Sequence, residues 1–225
     1  MLKFFALPLL LSTSLAFPAA AAGEAGPRSW SSFFETCTSE CQEFMASLAP
    51  KDAESLRGLP ERVARTIEEL DGEYVERLPA AVKGALRRVQ SLGGTTALGL
   101  NPEKRGCTVF WFGFLDEAGR VVGRHQCRID EKDGELWLTK LTGEGLRVRL
   151  AEFQGGNVAI GRTYLQEQSE RRYDPGRPNN RGNENFGNFV GLAFPDEGGR
   201  LVIVSADMHG HTEPDETFFE VLVVD

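Results

Sequence analysis

Two hydrophobic rhythms divide this chain. Between Trp30 and Leu48 the apolar residues Trp30, Phe33, Phe34, Cys37, Cys41, Phe44, Met45 and Leu48 recur at intervals of one, three and four, the spacing that gathers side chains on one face of an α-helix. Ser29 or Ser31 supplies a cap and Pro50 closes the segment. Pro60, suited to a first helical turn, opens a second stretch that keeps Val63, Ile67 and Leu70 together until Asp71-Gly72 breaks it. Pro79 opens a third, with Val82, Ala85, Leu86 and Val89 on one side and Gly93-Gly94 at its end.

Beyond Pro102 the helical spacing gives way to short β-branched and aromatic runs. The pattern predicts strands over 107–115, 120–130, 135–141, 146–153, 157–164, 186–194, 200–206 and 217–224. Asp116-Glu117-Ala118-Gly119, Asp133-Gly134, Gly155-Gly156 and Gly198-Gly199 supply tight turns between them. Eight strands so joined form an antiparallel meander, which removes its open edges by curling into a lipocalin-like (calycin-like) β-barrel. The expected class is α+β, with a helical region over 23–101 followed by a barrel domain over 102–225. One connection is unlike the rest. Residues 166–185, QEQSERRYDPGRPNNRGNEN, carry almost no apolar side chain, and a polar connection of that length either serves a site or simply moves.

The first 22 residues have a pattern of their own: Lys3, an apolar run from Phe4 to Phe17, and Ala20-Ala21-Ala22 before Gly23. This is the layout of a cleavable secretory signal, and it predicts a periplasmic or secreted protein. The run is shorter than a spanning helix needs and is interrupted by Pro8 and Pro18, so membrane insertion of the mature chain is not expected. With 25 Lys and Arg against 33 Asp and Glu the formal net charge is −8, which disfavours nucleic acid as a partner. Arg171, Arg172, Arg177 and Arg181 form the densest basic stretch and, mixed with acids, read as solvated loop.

Four cysteines suit an oxidising compartment. Cys107 opens the first predicted strand and Cys127 closes the second, so a hairpin folded at 116–119 brings them nearly opposite, at bridging distance. Cys37 and Cys41 are harder to place. At helical spacing their Cβ atoms stand about 5 to 6 Å apart, too far for a bridge. The helix distorts there, or these cysteines pair with the strand cysteines, or both thiols stay reduced.

Catalytic signatures are sparse. The chain has no G-x-S-x-G, H-E-x-x-H or phosphate-loop pattern and no cofactor motif. Ser205, Asp207 and His209 supply the residue types of a triad but stand in a row along one strand side. Two of the three histidines lie in ADMHGHTEPDE, where His209, His211 and Asp207 are donors that suit copper, nickel or zinc if the stretch is ordered as a site. A plain polar connection between the last two strands is the other reading. His125, alone in a strand, reads as structural.

The segments Gly106-Cys107-Thr108, Cys127-Arg128-Ile129, Leu138-Thr139-Lys140-Leu141-Thr142-Gly143, VAIGRTY at 158–164 and the Tyr173 loop resemble an uncharacterised family of bacterial secreted proteins. The family pairs a signal peptide and a short helical region with a cysteine-bearing β domain, and the resemblance implies no activity or cofactor. The expected function is that of an exported non-enzymatic binding module for a small ligand or an envelope protein, with 166–185 as its lip. An extracytoplasmic hydrolase with carboxylates not identifiable from spacing, and a metal-binding protein working through His209 and His211, are the alternatives.

Overall fold

A computed structural model describes residues 30, 33–34, 37–90, 98–113, 119–153, 156–206 and 218–225, with the side chains of 184 and 185 left aside. Among the described residues the continuous elements are, in chain order, α1 Ser39–Ser47, α2 Pro50–Glu69, α3 Gly72–Arg77, α4 Ala80–Gln90, β1 Glu103–Phe112, β2 Arg120–Lys132, β3 Glu135–Lys140, β4 Gly145–Phe153, β5 Gly156–Tyr164, β6 Asn179–Asn180, β7 Asn183–Pro195, β8 Leu201–Ser205 and β9 Phe219–Val224. All but the two-residue β6 make one antiparallel meander in which each strand pairs with the next, β5 passing directly to β7. Pairing of β9 with β1, in the register Cys107↔Val224 to Phe112↔Phe219, closes the ring. The result is a closed eight-stranded barrel, so no edge of it is left to pair with another chain.

Alternation along the strands sorts the barrel into two faces. Cys107, Val109, Cys127, Ile129, Leu138, Leu146, Val148, Leu150, Ala159, Phe189, Ala193, Ile203, Leu222 and Val224 point inward and fill the interior with apolar atoms. Gly161 is required on that side, because a Cβ there would overlap the Arg147 carbonyl across the β4–β5 pair. At one end sit the Asp133-Gly134 turn (φ 56 and 78) and the 196–199 turn, and Leu98 and Leu100 join the interior core. At the opposite, loop-bearing end lie the 141–144 turn and the long 165–182 connection, with the ends of β1 and β8 and the starts of β2 and β9.

Outward residues of about half the barrel are covered too. Leu56, Leu59 and Val63 of α2 and Val82, Leu86 and Val89 of α4 pack on Phe112, Val158, Ile160, Val190, Leu192, Val202, Val204 and Phe219 in a second continuous core. This covering explains why all nine residues of β5 are buried. Trp30 fastens the N-terminal side: its indole lies where a Cβ on Gly156 would be, and its Nε1 donates to the Arg88 carbonyl at 2.8 Å.

The eight strands fall within a few residues of their predicted positions, whereas the helices are redrawn. Trp30, Phe33 and Phe34 are helical, but the chain leaves the helix at Cys37 and Thr38 (ψ 163) before α1 begins. Pro50 opens α2 as its first residue instead of closing the helix before it, and Pro60 lies within α2. The apolar face Leu56, Leu59, Val63 continues through Pro60, and its burial outweighs the one hydrogen bond the proline removes. Asp71, read as a breaker, caps α3 by accepting from the Glu73 N–H at 3.1 Å.

Both cysteine pairs are bridged. Cys107–Cys127 joins the first hairpin, with Cα atoms 5.9 Å apart. Cys37–Cys41 closes a four-residue step at a Cα separation of 5.8 Å, and of the alternatives open in the sequence the distorted helix is the one realised. An unbroken helical turn could not bring those two sulfurs together, so Cys37 stands outside α1. The pair is compatible with an oxidising compartment. Among the described residues no helix is long and apolar enough to cross a membrane.

Candidate functional site

The loop-bearing end changes the chemistry of the barrel interior. On β3 the inward positions are Leu136, Leu138 and then Lys140, which pairs with inward-facing Cys127 on one side and Leu146 on the other. On β9 the inward series Val224, Leu222 continues to Glu220. Alternation therefore carries one cation and one carboxylate into the upper barrel, where both are buried, Lys140 at 5 % exposure and Glu220 at 2 %.

Glu220 accepts a hydrogen bond from the indole Nε1 of Trp111, its cross-strand partner, at 3.2 Å. Trp111 is held in turn by an edge-on contact with Phe218, ring centroids 5.8 Å apart, and by the Arg120 guanidinium over its ring. Ser205 stands opposite Glu220 and donates its hydroxyl hydrogen to the Val190 carbonyl at 2.6 Å.

Lys140 is different. Among the described residues its ammonium makes no hydrogen bond and no ion pair within 4.0 Å. The enclosed side-chain atoms without a partner are Arg105 Nε, Thr139 Oγ1, Arg147 Nε and Arg162 Nε, so Lys140 Nζ still touches accessible space. Burial draws its pKa below the ordinary lysine value, while the charges of Glu220 and Glu144 act in the opposite direction. Those carboxylates are near enough to be felt and too far to be touched.

His125 completes the rim. Its ring lies against Gly143, where a Cβ would stand 3.0 Å from Cε1 and where φ is 67, and against Gly123 on its own strand. Partial burial pushes its pKa below 6.5, the Lys140 charge pushes the same way, and the Thr142 backbone and Glu144 oppose them. The 141–144 turn is clamped to β2 by Leu141 N–H to Gln126 O at 2.7 Å and Gln126 N–H to Thr142 Oγ1 at 3.0 Å. The Cys107–Cys127 bridge lies just beneath, so the disulfide forms part of the floor.

A second polar cluster anchors the long 165–182 connection. Buried Arg162, 1 % exposed, donates from Nη1 to Asn180 Oδ1 at 2.6 Å and from Nη2 to Asn188 Oδ1 at 2.7 Å and to the Arg177 carbonyl. Asn188 Nδ2 donates to Asp52 of α2 at 2.9 Å, and the Tyr173 hydroxyl donates to the same carboxylate. Asn180 Nδ2 donates to the Thr163 carbonyl and to Gln168, each at 3.0 Å. Of the four loop arginines, Arg171 stacks on Tyr164 at 4.4 Å, while Arg177 and Arg181 share Glu170 at 3.5 and 3.7 Å. No phosphate-type cluster is formed by these groups. These bonds tie the connection to the outer face of the barrel and to α2.

Asp207, His209 and His211 lie outside the described residues, and so do residues 1–29 with the expected signal. Among the described residues no group of three or more His, Cys, Asp and Glu is placed to hold a metal ion. A shallow outer hollow of about 440 Å³ beneath α3, lined by Tyr74, Arg77, Phe110, Val121 and Arg124, is open to solvent. No family model, curated protein or solved structure matches the chain.

Lys140 and Glu220 were not singled out from the sequence. Their signal was present in the alternation L-x-L-x-K and E-x-L-x-V, which places a charge on the face that every other residue marks as interior.

Proposed function

We propose that the chain is an exported, non-enzymatic binding module of the cell envelope and that it takes its ligand at the loop-bearing end of the barrel. The observation that supports this reading is Lys140: a cation 5 % exposed, facing the barrel interior, with no ion-pair partner within 4.0 Å among the described residues. A buried charge without a partner is costly to the folded state, and a chain that needed only stability would place an apolar side chain there. The Cys107–Cys127 disulfide and the turn clamped by Thr142 lie close to it. Apolar side chains from Leu98 and Leu100 up to Cys127 pack in the interior, so the ligand is small, or is one protruding group of a larger partner.

A thermal-shift and calorimetric screen of small polar metabolites against the mature protein, with Lys140→Met beside it, tests this. The variant puts an apolar chain of similar length beside Leu138, Cys127 and Leu146 and is expected to fold. At least one compound is expected to bind the wild type and to bind Lys140→Met at least about tenfold more weakly, the loss of a charge-assisted contact. Equal binding to both proteins, or no binding to either, overturns the proposal.

A further inference from the structure

We infer that the outer hollow beneath α3 is a second binding site, one for a small amphiphilic carboxylate, its anionic head on Arg124 and its apolar body between Tyr74 and the Phe110–Val121 pair. It lies outside the barrel and does not depend on the Lys140 reading. Three observations carry it.

The first is the order of side chains on its floor. Alternation sends Cys107 and Val109 inward and leaves Gly106, Thr108 and Phe110 on the outer face of β1. Across to β2, Thr108 pairs with Arg124 and Phe110 with Val121; across to β9, they pair with Val223 and Val221. A polar row therefore adjoins an apolar row, about 7 Å apart along the strand. The hollow of about 440 Å³ spans both, a volume within the range of small-molecule sites.

The second is exposed apolar surface. Val121 and Val122 are the exposed large hydrophobic residues among those described, at 56 % and 41 %. The strand register shifts here: Val109 faces Gly123 and Phe110 faces Val121, which leaves Val122 without a cross-strand residue, and such a bulge re-aims side chains. Over them stands α3, six residues with none buried. Its Tyr74 reaches across the start of β2, the hydroxyl 2.8 Å from where a Cβ on Gly119 would be. An apolar body laid between this ring and Val121 takes both out of water, and the gain scales with the area removed.

The third is an uncommitted cation. The lining holds Arg77, Arg124 and Arg200 against one carboxylate, Asp225, in a chain of net charge −8. Arg200 is taken by Asp196 at 2.7 Å, and Arg77 stands 4.0 Å from Glu73. The Arg124 side chain makes no hydrogen bond and no ion pair among the described residues, and neither does the Thr108 hydroxyl beside it. Asp225 lies one row further from the apolar pair, its Oδ2 3.0 Å from where a Cβ on Gly106 would stand. One guanidinium fork matches one planar carboxylate. An ammonium would face three guanidinium groups, and a doubly charged phosphate would meet Asp225 with the same single unpaired cation.

The test is calorimetric titration of the folded mature protein with octanoate, octylammonium and acetate, repeated on Arg124→Gln, Val121→Asp and Lys140→Met. Arg124 and Val121 are exposed, so both of those variants are expected to fold, which urea unfolding checks. Octanoate is expected to bind, with octylammonium and acetate each at least about tenfold weaker. Arg124→Gln and Val121→Asp should each weaken octanoate at least about tenfold, whereas Lys140→Met should bind it as the wild type does. Silence from octanoate overturns the site, as does octylammonium binding equally well or Arg124→Gln binding octanoate unchanged. Octanoate lost in Lys140→Met but kept in Arg124→Gln would send the carboxylate to the barrel mouth, overturning the outer site while supporting the Lys140 reading.

Discussion

The Tyr173 hydroxyl donates to Asp52 Oδ2 at 2.6 Å, joining the long connection to a helix 121 residues earlier in the chain. The same hydroxyl oxygen accepts from the Ala49 N–H at 2.7 Å at the start of α2. One phenol therefore satisfies a helix-terminal donor and a buried carboxylate, and ties helices, connection and barrel into one unit.

Tyr173→Phe keeps the ring and removes both bonds. Asp52 then retains only Asn188, and the Ala49 N–H loses its partner. The expected loss is about 1 to 3 kcal/mol of unfolding free energy by urea titration. Amide exchange should quicken in the connection more than in the β1–β2 hairpin. Stability and exchange unchanged from wild type would show that the connection does not depend on this contact.

The two disulfides should differ in weight. Replacing Cys107 and Cys127 by Ser opens a loop with a sequence separation of 20 and unpins the hairpin that carries His125, at a cost of roughly 2 to 5 kcal/mol. Replacing Cys37 and Cys41 opens a separation of only 4, and by loop entropy should cost less. Thermal unfolding of the two double variants checks the order, and a larger loss from the Cys37/Cys41 pair would contradict it.

The strands were far more legible in the sequence than the helices, for a physical reason. Turns such as Asp133-Gly134 demand residues of particular conformational freedom, and interior alternation fixes the register between them. Proline in a helix carries a less definite message. Pro50 and Pro60 are equally compatible with a boundary or, where an apolar face continues through, with a tolerated interior position, and only packing on the barrel decides. The break at Cys37 came from a covalent constraint the helical spacing conceals. The site was legible in its parts and not in its assembly. Lys140, Arg162 and Tyr173 all fall in segments that stood out, yet that Lys140 and Glu220 face the same barrel interior follows from closure of β9 onto β1, which no local pattern states.

The rim histidine gives a pH prediction with a definite sign. Burial and the Lys140 charge hold the His125 pKa below 6.5 in the folded protein. Between that lowered value and 6.5 the unfolded chain binds more protons, so stability rises with pH across this window and falls as pH drops through it. His125→Gln should remove that part of the slope. Urea unfolding of both proteins from about pH 7.5 to 5 checks it. Parallel profiles would mean that the imidazole is solvated and senses no lysine.

Binding at Lys140 requires that its buried amine be reached from the mouth of an intact barrel. Reductive methylation of the folded mature protein near pH 8, read by peptide mass spectrometry, measures this directly. Lys104 and Lys132, both exposed, serve as internal standards. Lys140 is expected to be methylated in the folded state, helped by a pKa below the ordinary lysine value that leaves more free amine, and to be protected by the ligand the screen identifies. Methylation of Lys140 only at the rate of global unfolding, with Lys104 and Lys132 long since complete, would show a sealed core and contradict a binding site there.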